Sequence, residues 1–175
     1  MSIALSNTPV LRTERLVLRA PGPQDWESCA AFMASDRARY VGGPLSRDKA
    51  WRSFGHLIGH WVLRGWGMFV FCDGARPLGM VGPWFPEGWP EREIGWSVWA
   101  PEAEGKGYAA EAARAARDHA FTTLEWNTAV SYIDPPNRRS VALAERLGAR
   151  LDPQATPLPG GPCLVYRHTA SGASA

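Results

Sequence analysis

The segment 104–110, with the sequence EGKGYAA, constrains the fold of this chain more than any other. Its two glycines, Gly105 and Gly107, precede an alanine-rich stretch that is predicted to be helical as far as about Leu124. Glycine lets a ligand approach the backbone closely. The first amides of a helix have no intrahelical partner and carry the positive end of its dipole. The segment therefore predicts either a seat for a phosphate or pyrophosphate, or a plain turn between a strand and a helix.

Three phosphate-binding patterns compete for this segment, and spacing separates them. A Walker A loop needs a glycine five residues before Gly105 and a Ser or Thr after the lysine, but the chain has Ala100 and Gly107 there. The dinucleotide pattern G-x-G-x-x-A fits residues 105–110, and Asp134 follows the next predicted strand as a ribose-binding acid would. However, residues 101–104 intervene before the glycines, and a second βαβ unit is not apparent. The third pattern, an acyl-CoA loop, agrees best with the rest of the chain.

Hydrophobic periodicity and turn residues predict the element order βααβββαβαβ, with a short extra strand near Arg150. Hairpin-connected strands come first and a single βαβ crossover follows. We therefore expect an α/β (α+β) fold with a mixed, mostly antiparallel sheet of about six to seven strands and about four helices. Strands are predicted at 16–19, 66–72, 77–84, 93–99, 128–133 and 163–167, and helices at 24–35, after Ser46, after Gly107 and at 138–147.

Composition argues against several classes of protein. The net charge of +2 is small, and no run of Lys and Arg is long enough for a nucleic-acid interface. No segment reaches transmembrane length without charges, so no membrane partner is expected. Three widely spaced cysteines predict neither a disulfide framework nor a zinc site. His56 and His60 share a helix face but lack a third ligand, so we expect no metal.

The first and last residues of the sequence support two further predictions. The first residues lack a basic region followed by an apolar stretch, so no signal peptide is predicted. Together with cysteines that are expected to stay reduced, this favours a cytoplasmic location. The small, polar segment 171–175 is expected to be a disordered tail.

Nine tryptophans are an unusual number for 175 residues, and four of them lie between positions 84 and 99. Either they pack beneath a long loop rich in Pro and Gly, or they form the aromatic wall of a substrate groove. Carboxylates at Glu87, Glu91 and Glu93 lie among them, and a cationic amine is attracted both to aromatic faces and to carboxylates. We therefore expect Trp84, Trp89 and Glu93 to bind an amine substrate.

The element order and three segments together resemble the GNAT superfamily of acetyl-CoA-dependent N-acetyltransferases. The segments are RTERLVLR at 12–19, EIGW at 93–96 through EGKGYAAEA at 104–112, and NRRS at 137–140 through RLG at 146–148. Within the superfamily the chain is similar to the branch that includes the ribosomal-protein N-terminal acetyltransferases, over residues 11–168. The resemblance implies the GNAT fold with splayed strands that bind acyl-CoA, one N-acetyltransferase domain over residues 1–170, and acetyl-CoA as the cosubstrate.

The resemblance also implies which residues bind acetyl-CoA. The pyrophosphate would lie on the loop, and the pantetheine arm would lie along the preceding strand. Glu104 stands where the family has Gln or Arg, and a carboxylate beside a pyrophosphate predicts weaker affinity rather than lost function. Arg139 is either a partner of the CoA ribose phosphate or a solvated surface charge. The expected cofactor-binding residues are Ser97, Val98, Trp99, Gly105, Lys106, Gly107, Tyr108, Ala109, Ala110, Asn137, Arg139 and Ser140.

Acetyl transfer to an amine requires a base, because a protonated amine has no lone pair. Glu93, at the start of the strand that leads to the loop, is the first candidate, and Glu91 or a water molecule is the alternative. The last-helix Tyr of many relatives is replaced by Ala144, so Ser140 is expected to assist the leaving thiolate as the second catalytic residue. The predicted function is acetyl transfer to a primary amine, on a protein N-terminus or a small molecule, by direct attack in a ternary complex. The alternative is a non-catalytic acyl-CoA sensor or scaffold. A homodimer is a further possibility.

Overall fold

The protein is built on one eight-stranded sheet, as seen in a computed structural model that describes residues 5–170. The expected disordered tail at 171–175 lies outside the described residues. The strands follow the order β1-β2-β3-β4-β5-β6-β8-β7. They are β1 Leu11–Arg12, β2 Val17–Arg19, β3 Phe69–Asp73, β4 Arg76–Trp84, β5 Glu93–Val98, β6 Thr128–Ile133, β7 Arg150–Leu151 and β8 Leu164–Thr169. Only the β5–β6 pair is parallel within this described part, which confirms the mixed, mostly antiparallel sheet.

Four α-helices accompany the sheet in the described range, as expected: α1 Trp26–Met33, α2 Arg47–Arg64, α3 Tyr108–Thr122 and α4 Arg138–Arg146. Short 3-10 turns precede or follow them at Pro23–Asp25, Asp36–Val41 and Pro101–Ala103. The ends of α4 agree with the sequence signals, since the Asn137 side chain accepts a hydrogen bond from the Ser140 amide at 3.3 Å. Gly148 follows the helix with a φ of +83°, a conformation that favours glycine. No helix in this range is both long and apolar enough to cross a membrane.

The helices cover both faces of the sheet. On one face, α1 and α2 pack against Val70, Cys72 and Trp99. On the other face, α3 packs its fully buried alanines, Ala112, Ala113 and Ala116, against large strand residues such as Phe69, Phe71 and Val81. Small side chains let α3 lie close to the sheet, which holds the start of the helix at the end of β5.

The parallel pair β5–β6 opens into a fork. The strands are in register at Glu93 and Val130, where the Val130 amide donates to the Arg92 carbonyl at 2.9 Å. One residue further, the Ser131 hydroxyl donates to the Ile94 carbonyl at 2.6 Å. Beyond these bonds the strands separate, and the gap between them leads into a cavity.

Candidate functional site

A cavity of about 730 Å³ lies between the α1–α2 layer and the fork of β5 and β6. Its volume is typical of a site for a small molecule. Several predicted site residues from distant parts of the sequence meet in its lining: Trp84, Trp89, Glu93, Ser97, Trp99, Asn137 and Ser140. Val98, Arg139 and the loop residues 105–110 do not line it. They lie beyond it, at the end of β5, at the first turn of α4 and at the start of α3.

Glu93 is the carboxylate beside the tryptophans in this cavity. Its Oε2 accepts a hydrogen bond from the Trp89 indole at 2.7 Å. Burial raises the pKa of Glu93 to about 7, against the opposing effects of the Trp89 bond and the Tyr132 amide. A carboxyl group with a pKa near 7 can accept and release a proton at neutral pH. The alternative, Glu91, is instead held by Arg167 through bonds of 2.7 and 2.9 Å and does not line this cavity.

Trp84 lies on a fixed support. Its ring stacks on His60 with centroids 4.5 Å apart, and His56 contacts it edge-on at 5.0 Å. The Phe85 amide donates to His60 Nε2 at 3.0 Å, so the ring proton resides on Nδ1, which donates to the Trp66 carbonyl at 3.0 Å. Burial lowers the pKa of His60, which keeps the ring neutral. Trp84 therefore packs within the fold and also lines the cavity, and its contact with a substrate stays a prediction.

At the end of β5, the Trp99 amide is already used within the sheet and cannot bind a ligand. The Trp99 amide donates to the Leu78 carbonyl of the β3–β4 hairpin at 2.8 Å and is not free for a ligand, and the Trp99 indole donates to Ser97 Oγ at 3.1 Å. Because backbone groups alternate in direction along a strand, the Val98 amide points away from β4, towards the gap beside β6.

Ser140 lies on the opposite side of that gap, in the first turn of α4. Its Oγ accepts a hydrogen bond from the Trp96 indole at 3.1 Å, which leaves the hydroxyl proton available to a ligand. Ala144, where the sequence predicts that a side-chain acid is missing, is fully buried. Ser140 is therefore the hydroxyl group that α4 presents to the cavity.

The glycine loop leaves open space beside its backbone at Gly105. Gly105 and Gly107 have φ angles of +74° and +82°, which side chains other than glycine rarely adopt. A Cβ atom at Gly105 would meet nothing within 4 Å. Helix α3 begins directly afterwards at Tyr108, so its unpaired first amides lie at the loop, and the Lys106 side chain is exposed.

Glu111 anchors this loop from behind, in a role that the sequence did not predict. Glu111 is partly buried. Glu111 accepts hydrogen bonds from the Thr13 hydroxyl at 2.5 Å and from the Arg15 amide and Nε at 2.9 and 2.7 Å. Arg15 also donates to the Lys106 carbonyl at 3.1 Å and lies over the Tyr108 ring. The β1–β2 turn thus fixes the loop, through contacts separated by more than 90 residues.

Glu104 is not a free carboxylate beside the loop. Arg37 donates to Oε1 at 2.8 and 2.6 Å, and Arg139 contacts Oε2. Desolvation alone would raise the pKa of Glu104, but the bonds from Arg37 and Arg139 lower it overall. Arg37 also donates to the Val98 and Trp99 carbonyls at 2.8 Å each. The repulsion expected between Glu104 and a pyrophosphate is therefore compensated, by an arginine that the sequence did not single out.

In family and in fold, this chain is similar to known acetyltransferases. A family model for the acetyltransferase (GNAT) domain matches residues 15–150. The crystal structure of the acetyltransferase from Agrobacterium tumefaciens str. C58 is 41% identical, with a TM-score of 0.87, and the match covers 97% of this chain and 99% of that one. The protein YkkB of Bacillus subtilis (strain 168) is 41% identical over 56 residues, which span 32% of each chain.

A more distant structure shares the fold and holds a ligand. The ribosomal L7/L12 alpha-N-protein acetyltransferase RimL, in complex with coenzyme A, is 18% identical with a TM-score of 0.73. The match covers 92% of this chain and 98% of that chain.

Proposed function

This chain belongs to the GNAT acetyltransferase family, and from that premise we propose that it transfers an acetyl group from acetyl-CoA to a primary amine by direct attack in a ternary complex. The observation that carries the proposal is the position of Glu93, a carboxyl group with a pKa of about 7 in a cavity that reaches the fork of β5 and β6. The amine would be carried by a small molecule or by a protein N-terminus. A cytoplasmic location, a homodimer and a domain over residues 1–170 stay predictions from the sequence.

The residues present suit acetyl-CoA, which supplies the acetyl group as an activated thioester. The open loop at Gly105 and Gly107 and the first amides of α3 would hold the pyrophosphate. The gap between β5 and β6 would take the pantetheine arm, with Asn137 at its far side. Within residues 5–170, no three His, Cys, Asp or Glu residues are grouped as a metal site would need, and the proposed chemistry requires no metal.

Three groups of the protein would act on the reacting atoms. Glu93 would take the proton that the amine must lose, directly or through one water molecule. The amine nitrogen would then form a bond to the thioester carbon, and the Val98 amide would donate a hydrogen bond to the carbonyl oxygen as it gains charge. When the carbon–sulfur bond breaks, the electron pair leaves on the thiolate, the nitrogen releases its remaining excess proton to solvent, and the Ser140 hydroxyl would donate a hydrogen bond to that sulfur. A thiol pKa of about 8.5 makes a stronger acid unnecessary.

The second candidate function, a non-catalytic acyl-CoA sensor or scaffold, is favoured by one observation. Ala144 offers no acid in the last helix. The Glu104 carboxylate would also favour a sensor if it repelled the pyrophosphate of acetyl-CoA. However, two arginines neutralise that carboxylate, so this argument no longer applies. Release of free thiol from acetyl-CoA in the presence of amines separates the two functions.

The test of the catalytic proposal is the Glu93→Gln substitution, which keeps the shape of the side chain and removes the base. We expect the turnover number to fall by about 10²-fold or more, as is typical for loss of a general base. The loss should shrink as the pH approaches the pKa of the acceptor amine, because the amine then arrives deprotonated. Glu87→Gln is the matched control, since that side chain is fully exposed.

The outcomes distinguish Glu93 from solvent as the base, and an enzyme from a sensor. Unchanged turnover in Glu93→Gln would assign the proton to solvent rather than to Glu93. If the wild-type protein binds acetyl-CoA in calorimetry but releases no thiol with any amine, the sensor function replaces the enzyme.

A further inference from the structure

Resting on the proposed function, we infer that the acceptor is a monoamine whose single amino group is carried on an apolar, aromatic or aliphatic body. Polyamines and peptide N-termini are excluded by the same features. The inference depends on the distribution of charge and of apolar surface around Trp84, Trp89 and Glu93.

The negative charge available to an acceptor is one carboxylate. The sequence placed three glutamates among the tryptophans, but two of them are directed elsewhere. The Glu87 side chain is fully exposed, 4.0 Å from Arg64, and Glu91 is held by both terminal nitrogens of Arg167. Of the described residues that line the cavity, only Glu93 and Asp134 carry carboxylates. Asp134 follows the last residue of β6, on the side where Asn137 and the cofactor gap lie.

The wall beside Glu93 is mainly apolar, and its shape is adaptable. Phe32 and Met33 come from α1, Val41 from the turn after it and Leu57 from α2. Met68, which directly precedes β3, and Met80 on β4 complete this wall. Thioether side chains adjust their shape to a ligand and make favourable contacts with aromatic rings. A flat or linear apolar group attached to the amine therefore has a matching surface.

Electrostatics decide between acceptor classes in such a cavity. One ammonium group can pair with Glu93 and with the faces of the neighbouring tryptophans. A second ammonium would lie against this apolar wall without a partner, because no carboxylate other than Glu93 lies on this wall among the described residues. A peptide would in addition bury several backbone amides, whereas the side chains of this wall that can accept a hydrogen bond are those of Tyr40, Ser53 and His56.

The test compares two amines that differ by a single charge. Pentylamine and 1,5-diaminopentane have the same chain length, and only the second carries a distal ammonium group. In the thiol-release assay with acetyl-CoA, we expect kcat/KM for pentylamine to exceed that for the diamine on the order of 10²-fold, the effect of a partly desolvated charge without a partner. 2-Phenylethylamine should exceed both, and the dipeptide amide Ala-Ala-NH₂ should fall with the diamine.

A charge added to the wall should reverse the preference. Ser53 lines the cavity from α2 and is partly exposed, so Ser53→Asp provides a partner for the second ammonium and should reduce the ratio of pentylamine to diamine about tenfold. Leu63→Asp adds the same charge to the same helix at a residue that is 84% exposed, and it should leave the ratio unchanged.

The outcomes separate this inference from the function on which it rests. Equal or better turnover of the diamine or the dipeptide by the wild-type protein overturns the inference and leaves the acetyltransferase intact. A ratio that changes equally in both Asp variants also overturns it, since a remote charge would then be sufficient. Absence of thiol release with all four amines, despite acetyl-CoA binding, removes the proposed function itself.

Discussion

At the scale of single residues, the position of Glu93 could be predicted from the sequence, whereas its hydrogen bond and its raised pKa could not. Its place at the start of the strand before the glycine loop was predictable from periodicity. Its hydrogen bond from Trp89 was not, because Trp89 lies in an irregular loop where no periodicity orients the side chain. The raised pKa is a consequence of burial, which depends on several elements packing around one carboxyl group.

This raised pKa has a consequence for stability. The carboxyl group titrates near 7 in the folded protein and near its ordinary value of 4.5 in the unfolded chain. Between these pH values the folded state holds a proton that the unfolded chain has released, so stability falls as the pH rises through this window. We expect Glu93→Gln to raise the free energy of unfolding by about 1–3 kcal/mol at pH 8 and to change it little at pH 4.

Urea denaturation at the two pH values measures this effect. Glu87→Gln serves as the control and should shift neither value, because its side chain is in solvent. An equal gain at both pH values would attribute the change to packing and would contradict the titration of Glu93.

At the scale of elements, the glycine loop and helix α3 could be predicted from their own sequences. The residues from distant parts of the chain that hold them in place could not. Gly105, Gly107 and the alanine face of α3 are local signals that the structure confirms. Arg37 is 67 residues away from Glu104, and no pattern in the turn Asp36–Val41 indicates that it reaches the end of β5. Strand β1 was missed for a related reason, since two residues carry no periodicity.

The Arg37–Glu104 pair should control the affinity of the loop for acetyl-CoA. Arg37→Gln leaves Glu104 with Arg139, whose side chain is 85% exposed and therefore screened by solvent. We expect the Kd of acetyl-CoA to rise about tenfold, because the carboxylate then repels the pyrophosphate. The double variant Arg37→Gln/Glu104→Gln should recover most of that loss. Calorimetry measures both, with Arg39→Gln on the same turn as the control.

The double variant is the decisive measurement for this pair. If it binds acetyl-CoA as weakly as Arg37→Gln alone, charge compensation is the wrong explanation. The contribution of Arg37 would then come from its bonds to the Val98 and Trp99 carbonyls.

At the scale of the whole molecule, the fork of the sheet is held by a buried chain of hydrogen bonds across three strands. Ser131 on β6 donates to the Ile94 carbonyl of β5, so His168 Nε2 on β8 must be the donor to the Ser131 hydroxyl, at 2.9 Å. His168 Nδ1 is then an acceptor, and it is buried without a partner among the described residues. The order of elements was predictable from local patterns. This connection was not, because it joins side chains whose strands meet only in the folded sheet.

The neutral state of His168 makes the fold sensitive to acid. Burial, with a smaller contribution from Arg117, lowers the pKa of His168 from its ordinary 6.5 to about 4. Below pH 6.5 the unfolded chain binds a proton that the folded protein refuses, so stability is lost as the pH falls from 6.5 towards 4. Glu93 acts in the opposite direction over an overlapping window, which flattens the profile of the wild-type protein.

The effects of Glu93 and His168 can be separated by the pH dependence of the free energy of unfolding rather than by its value at one pH. In a Glu93→Gln background, we expect the free energy of unfolding to drop by about 2–3 kcal/mol between pH 6.5 and pH 4 because of His168. Adding His168→Gln keeps a donor for the Ser131 hydroxyl and should remove that part of the slope, even if the new side chain packs less well. Urea titrations at intervals of half a pH unit measure the difference between the two profiles. A difference that does not vary with pH would mean that His168 is protonated equally in the folded and unfolded states, and the neutral bridge at the fork would have to be abandoned.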